Sequence, residues 1–528
     1  MRVGIDTGGT FTDFVFLSDS GLRVDKVLST PHDPAQAILL GLRRAGILEA
    51  KADIIHGSTV ATNALLERKG SRLAFLATAG FEDILSIGRQ TRRELYNILV
   101  EKRIPLIPRR LCFGLEERTL ADGRILRRPD RGRMEAVIAR LKKEGVESVA
   151  LCLLHSYANA ANEEAVRRQV EAAGLPVSAS HRVLCEYREF ERASTTAINA
   201  YVAPLMDGYL GGLEAELRRS RLRIMQSNGG CLSASGARER PIGTILSGPA
   251  GGAVGARECG LAAGFPRIIS FDMGGTSTDV SLCDGGLSVT TETVISDLPL
   301  KMPVIDIHTV GSGGGSLARL DAGGALRVGP ESAGADPGPA CYGRGEEVTV
   351  TDANLVLGRL DPGSFLGGEM TIDPGRAWGV VKKLAGRMRL APERLAEGVL
   401  RVADAVMERA IRVISVERGY DPRDFALLSF GGAGGMHACS LARRLRIPTV
   451  IVPKNAGVLS ALGMLLSDVA KDYSRSVLLS GAEARAEKLA GLFLPLLQAG
   501  GKDIRDEGFS ADRTRLFRSL DARYVGQS

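Results

Sequence analysis

Short apolar runs separated by glycine turns dominate the first third of the chain. Runs at 3–5, 13–17 and 23–28 read as three strands. From 33 to 45 the apolar spacing turns helical, with Asp33 in the N-cap position and Pro34 at the first helical position. Strands at 53–56 and 73–77 flank a helix at 61–69. Met134, Val137, Ile138 and Leu141 mark one face of a helix, 149–154 is a buried strand and 162–173 is helical again. On this pattern a first unit spans 1–180 and a connecting helical segment, 181–220, carries a mixed charged and small face of the kind that runs along a surface. A second unit covers 221–480, and 481–528 begins a further region that looks truncated.

The second unit shows longer periods. Val399, Val402, Val406, Ala410 and Val413 space out a helix over 395–418, ended by Gly419 and Pro422. Segments 308–321 and 331–343 are too rich in Gly and Pro to be regular elements, and irregular stretches of that length usually serve a site, so they are expected to be its walls. Around 245–256, Gly248, Ala250, Gly251, Gly252 and Gly255 would let a helix press against backbone or bring its N-terminus to an anion, and the sequence leaves both open.

One pattern occurs twice. Asp6, Gly8, Gly9, Thr10, Thr12 and Asp13 recur, at constant offsets, as Asp272, Gly274, Gly275, Thr276, Thr278 and Asp279. Each copy joins two apolar runs, so each reads as strand, tight turn and return strand. Glycines bring backbone N–H groups close to an anion, and Thr7, Thr10, Thr12, Thr276, Ser277 and Thr278 add hydroxyls around the turns. Carboxylates beside phosphate call for a hard cation between them, so metal-nucleotide fits better than bare phosphate, with Asp6 and Asp272 holding Mg²⁺. A single Gly-Gly-Thr turn is usually an ordinary hairpin; two copies far apart suggest two related lobes gripping one ligand. A third turn, with Gly431, Gly432, Gly434 and Gly435 between a strand and a helix start, suits adenine and ribose.

Composition narrows the class. The 528 residues, 44% hydrophobic and 24% charged, describe a globular chain of several domains. The net charge of +7 arises from scattered Arg, with runs at 124–133 and 218–223; without interleaved aromatics these read as solvated faces and exclude nucleic acid as the expected partner. Eight dispersed cysteines without C-x-x-C spacing read as core residues in a reducing compartment. The chain leads from Met1 straight into a strand and has no apolar stretch of bilayer length, so a cytoplasmic protein without membrane contact is expected.

The duplicated turns resemble those of the actin, sugar-kinase and heat-shock-chaperone ATPases. That implies an α/β fold of two duplicated ribonuclease-H-like lobes with the nucleotide between them. IDTGGTFTD from Ile5, HGSTVATNALLERKG from His56, ERASTTAINAYV from Glu191, SGPAGG from Ser247, FDMGGTSTDVS from Phe271, GSGGGS from Gly311, DPGPACYG from Asp336 and FGGAGGMHA from Phe430 resemble the hydantoinase A / oxoprolinase family. The resemblance implies ATP-dependent hydrolysis of a cyclic amide or imide of the hydantoin, oxoproline or lactam class, with ATP and Mg²⁺ as cofactors. It also implies a hydantoinase-B-like second subunit and a hetero-oligomer. Two departures stand out: the family's β-rich C-terminal domain does not follow DARYVGQS, and GRQTRRELY at 88–96 lacks the Pro usual after that Arg-rich turn.

In that mechanism the turns hold the phosphates from opposite lobes, Asp6 and Asp272 organise Mg²⁺, and either Asp13 or Asp279 orients the acceptor or a water. No P-loop, H-E-x-x-H or nucleophile elbow competes. Asp306 and His308 could share a metal, although two ligands without a third are more often a structural pair. The rival readings are a ketone-activating subunit of the acetone-carboxylase kind, a sugar or acyl-group kinase, and a regulatory ATPase without small-molecule chemistry.

Overall fold

The computed structural model describes residues 1–30, 32–91, 96, 104–295, 297–368, 370–477 and 479–524. The departures noted at 88–96 and 521–528 fall partly outside these. The first six-stranded sheet begins with β1 (Arg2–Thr7), β2 (Phe11–Ser18) and β3 (Gly21–Leu28) as antiparallel neighbours, with β4 (Asp53–Ser58) parallel to β1 on its other side. Val3 and Ile5 face a core with Ile38 and Leu42 of the helix Pro34–Arg44, whose cap Asp33 accepts from the Ala35 N–H at 3.2 Å. The strand Arg221–Met225, where the sequence reading opens a second unit, pairs in parallel with β4, and Cys231–Ser233 closes the sheet edge. A parallel four-stranded sheet, ordered Val177–Ala179, Ser148–Cys152, Leu73–Thr78 and Cys112–Leu115, packs in the same core.

The connecting helix Glu189–Glu216 differs from expectation. Instead of lying on the surface it is buried along 191–202, with Arg192 fully enclosed. Its charges are internal partners rather than solvated ones: Arg192 donates to Leu153 O at 2.8 Å and to Ser180 Oγ at 2.7 Å, and pairs with Glu189. Nearby, buried Glu163 accepts from the Leu153 N–H at 2.7 Å and the His181 N–H at 2.8 Å. Burial alone would raise the Glu163 carboxyl, but the His181 ring 2.8 Å away, the Arg192 charge and the Leu153 N–H hold it below the ordinary range.

His56 of β4 is likewise enclosed, with Nδ1 3.3 Å from Ile5 O and Nε2 2.8 Å from the Tyr209 hydroxyl. Donation from Nδ1 to the carbonyl leaves Nε2 to accept from Tyr209, which is a neutral ring. Burial lowers its pKa to about 4. Protonation therefore favours the unfolded chain: nothing is lost above the unfolded value of about 6.5, and about 3 kcal/mol is lost as pH falls from there to about 4. Denaturant unfolding of wild type and His56→Gln should thus show a stability gap that shifts against the wild type across that interval; parallel pH profiles would contradict a neutral buried ring.

A second mixed sheet has the order Ile307–Val310, Thr278–Asp284, Arg267–Met273, Ala426–Phe430 and Thr449–Ile451, antiparallel up to Arg267–Met273 and parallel beyond it. Phe271 and Met273 pack with Val399, Ala403 and Met407 of the helix Pro392–Ile414. Between the two sheets lie the helices Ser247–Ala262 and Leu459–Leu466. Their contact leaves no room for side chains, since a Cβ on Gly463 would stand 1.9 Å from Gly251 O. Gly4 of β1 meets the second of these helices in the same way, a Cβ there falling 2.0 Å from Ala461 O.

Parts of 308–321 and 331–343 are more regular than their composition indicates. Ser316–Leu320 and Leu326–Ser332 form a hairpin, leaving 311–315 and 333–339 as the irregular pieces. Buried Asp352 anchors the second piece, accepting from the N–H groups of Cys341 at 2.8 Å, Ala340 at 3.2 Å and Thr349 at 3.0 Å. Among the described residues no helix is long and apolar enough to cross a membrane.

Candidate functional site

The two sequence copies fold alike. In the first hairpin Asp6 pairs with Asp13 and Thr7 with Thr12; in the second, Asp272 pairs with Asp279 and Met273 with Thr278. Each turn is closed by one hydrogen bond, Gly8 N–H to Phe11 O at 3.0 Å and Gly274 N–H to Ser277 O at 3.1 Å. The tips, Gly9 with Thr10 and Gly275 with Thr276, are exposed, and a Cβ on Gly9 or Gly275 would meet nothing within 4 Å.

The carbonyls of both turns are held from behind. Ser29 donates from Oγ to Gly8 O at 2.7 Å and from its N–H to Thr10 O at 2.9 Å. Gly314 and Gly315 donate to Gly274 O at 3.0 Å and Gly275 O at 2.6 Å. In a trans peptide the following N–H points opposite to the carbonyl, so Gly9, Gly275 and Thr276 turn their N–H groups outward. Among the described residues none of the three has an acceptor. Unpaired donors around an open glycine tip suit an anion with several oxygens.

Strand alternation puts all four aspartates on the sheet faces that look toward the paired helices. Gly4 and Asp6 share one face of β1, while Ser270 and Asp272 share the corresponding face of Arg267–Met273. The N-terminus of the helix Ser247–Ala262 comes up beside them, a Cβ on Gly248 falling 3.5 Å from Asp6 Oδ1, and Gly251 and Gly255 of the same helix press on Gly463. Of the two uses left open for that small-residue stretch, the close approach to backbone is the one seen, and the helix N-terminus lies beside Asp6.

Asp6 is half-buried and its carboxyl is raised to about 7, first by burial, then by Asp13, with Lys26 opposing. Asp272 is pushed well above the usual carboxylate range by burial and then by the charges of Asp279, Asp6 and Asp13. The charges of the first hairpin thus bear on Asp272 of the second across the gap between them. Among the described residues neither Asp6 nor Asp272 has a side-chain hydrogen bond, and no group of three or more metal-ligating side chains exists. Two unpartnered carboxylates without further protein ligands fit Mg²⁺, an ion that keeps its waters and takes phosphate oxygens.

Not every expected residue faces this gap. Thr12 and Thr278 are fully buried, with hydroxyls used on Ser29 Oγ and Ser312 O, so they brace the turns from inside. Thr7 Oγ1 is buried without a partner, whereas Thr10, Thr276 and Ser277 lie at or near the surface of their turns. In the third turn only Gly432 and Gly435 border open space. Gly431 sits at φ +78°, where a Cβ would stand 2.3 Å from Asp272 Oδ1, and a Cβ on Gly434 would stand 2.3 Å from Phe430 O. These two glycines serve packing, and the Ala433 N–H clips the turn to Met273 O at 2.9 Å. Asp306 is bound to Arg418, whose Nη2 donates to Oδ1 at 3.0 Å, rather than sharing a metal with His308.

Lys26 and Thr309 are the partners missed in the sequence. The tight turn pairing Ser18 with Gly21 fixes the register that sets Lys26 opposite Asp13, and a salt bridge joins them. Thr309 holds the equivalent place beside Asp279, donating to Oδ1 at 2.5 Å. The first register could have been counted from the Asp-Ser turn; the second spans a longer connection and could not.

The profile of the family described as Hydantoinase/oxoprolinase matches residues 192–473, and that of the Hydantoinase/oxoprolinase N-terminal region matches 2–174. The whole chain is 38% identical to caprolactamase subunit alpha of Pseudomonas jessenii, covering 79% of that protein. It is 35% identical over its whole length to 5-oxoprolinase of Saccharomyces cerevisiae, covering 46% of it. To the acetophenone carboxylase gamma subunit of Aromatoleum aromaticum it is 32% identical, over 99% of this chain and 77% of the relative. Among solved structures, ATP-dependent caprolactamase from Pseudomonas jessenii superimposes with TM-score 0.87 at 36% identity, over 100% of this chain and 80% of that one. Nucleotide-free acetone carboxylase superimposes with TM-score 0.80 at 30% identity, over 97% and 78%. The chain belongs to the hydantoinase/oxoprolinase family.

Proposed function

We propose that this chain is the ATP-using subunit of an enzyme that hydrolyses a cyclic amide or imide of the hydantoin, oxoproline or lactam class. The observation that carries the reading is the pair of like-registered hairpins, matched aspartate for aspartate, with Asp6 and Asp272 unpartnered and the first hairpin's carboxylates bearing on Asp272. In this reading the two sheets are duplicated lobes of the actin-like ATPase kind, and the first lobe extends through Cys231–Ser233. Gly9, Gly275 and Thr276 would offer backbone N–H groups to phosphate oxygens, Asp6 and Asp272 would hold Mg²⁺, and Gly432 and Gly435 would border the adenosine. Bound ATP would supply a phosphoryl group to the amide oxygen, leaving ADP and making the amide carbon, otherwise a poor electrophile, open to water, after which the C–N bond breaks and phosphate is released. The chain's own task is positioning and charge neutralisation.

A hydantoinase-B-like subunit would add the hydrolytic centre, in line with relatives named as alpha and gamma subunits. Eight unpaired cysteines suit a reducing, cytoplasmic setting. A second reading, ATP-dependent ketone activation, draws support from the acetone carboxylase superposition. ADP release measured with the partner subunit against hydantoin, 5-oxoproline, a lactam, and acetone with bicarbonate separates the two. Stimulation by a cyclic amide supports the first reading and stimulation by the ketone the second; no stimulation by any of them contradicts both and leaves a regulatory ATPase.

A further inference from the structure

The two halves of the site are alike in backbone but not in charge. Across the first sheet one row of side chains reads Lys26, Asp13, Asp6 and Gly57, each opposite the next on neighbouring strands. The matching row of the second sheet reads Thr309, Asp279, Asp272 and Phe430. A cation in the first row thus stands where the second has a neutral hydroxyl.

We propose that Lys26 is a positioning residue for nucleotide at the first turn: its ammonium neutralises Asp13 and so admits a phosphate that a bare carboxylate would repel. The proposal rests on the nucleotide reading given above. Lys26 is well placed for the task. Its Nζ is ion-paired with Asp13 and lies 5.1 Å from the centre of the Phe11 ring, which begins the return strand of the same turn. Its side chain is 32% exposed and that of Asp13 17%, so the pair is not sealed from solvent. Asp6 and Asp272 are engaged by Mg²⁺ in the nucleotide reading, and Asp279 has the Thr309 hydroxyl. Among the described residues Lys26 is the one cation paired with Asp13, and the Asp13 charge reaches both Asp6 and Asp272.

Removing the cation while keeping the carboxylate should then weaken binding of an anion, and removing both should restore it. That reciprocity distinguishes charge neutralisation from a packing role, which the second substitution would not repair. The variants are Lys26→Met, Lys26→Arg and the double variant Asp13→Asn/Lys26→Met, each assayed on the full chain for MgADP affinity, melting temperature and steady-state ATP turnover. Lys26→Met is expected to bind MgADP about tenfold more weakly and to raise KM for MgATP by a similar factor, with kcat changed less than about threefold. Lys26→Arg and the double variant are expected within about threefold of wild type in affinity. Wild-type affinity in Lys26→Met, or a double variant no better than Lys26→Met, overturns the proposal while leaving the nucleotide reading intact. A wild-type chain that binds no MgADP overturns both.

Discussion

Asp272→Asn should abolish most ATP turnover while leaving the protein as stable as before or more so. Asn has the same shape, and Asp272 has no side-chain hydrogen bond among the described residues to lose. Its carboxyl is raised by burial and by three neighbouring aspartates, so ionising it opposes folding at every pH above the unfolded value. Removing that charge relieves the repulsion. The same charge is what the proposed Mg²⁺ site would require, and losing it should cost roughly 4 kcal/mol of transition-state stabilisation, or on the order of a thousandfold in rate. Asp306→Asn is the control: it removes the charge of the pair with Arg418, outside both turns, and should leave nucleotide affinity largely intact. Turnover, nucleotide affinity and melting temperature on the same preparations decide the matter. Normal turnover by Asp272→Asn with Mg²⁺ present would reduce the second turn to a structural hairpin.

Gly463→Ala should be among the most damaging changes a single methyl group can make here. The added carbon would stand 1.9 Å from Gly251 O and 2.5 Å from Gly255 N, both backbone atoms of the opposing helix. Backbone cannot rotate away as a side chain can, so the helices must separate. Overpacking of this kind costs about 3 kcal/mol. Because the helix pair lies between the sheets that carry the two aspartate pairs, separation also changes the gap between them, and turnover should fall beyond what the lowered melting temperature explains. Gly457→Ala, where a Cβ would meet nothing within 4 Å, should be nearly silent in both measurements. Equal behaviour of the two variants would show that the helices have slack.

Much of this site was legible in the sequence because a tight turn is a local event. Asp6 to Asp13 and Asp272 to Asp279 are each written in eight consecutive residues, and their registers follow from the turn itself. The helix of 392–414 was legible for the same reason, its apolar face repeating at helical spacing. What failed was whatever depends on distant pairing. The parallel partnership of Arg221–Met225 with β4 joins segments far apart in the chain, and nothing in either announces the other. Arg192 and its neighbours looked solvated because charged residues usually are; their acceptors, Leu153 O and Ser180 Oγ, come from elements a sequence pattern does not bring together. Thr12 and Thr278 have the composition of phosphate ligands, but the pleat of each hairpin turns them inward.

The supports behind the two turns differ in how they could be lost. Ser29 holds the first through a hydroxyl as well as a peptide, whereas Gly314 and Gly315 hold the second through peptides alone. The carbonyl clamp of the first turn is therefore open to substitution or chemical modification of a single side chain, while that of the second is backbone alone and its side-chain brace is the fully buried Thr278 hydroxyl on Ser312 O. Mutational robustness is thus distributed unevenly between the two turns, and, in the nucleotide reading, variation that would tune the grip has its more accessible entry at Ser29 on the N-terminal side.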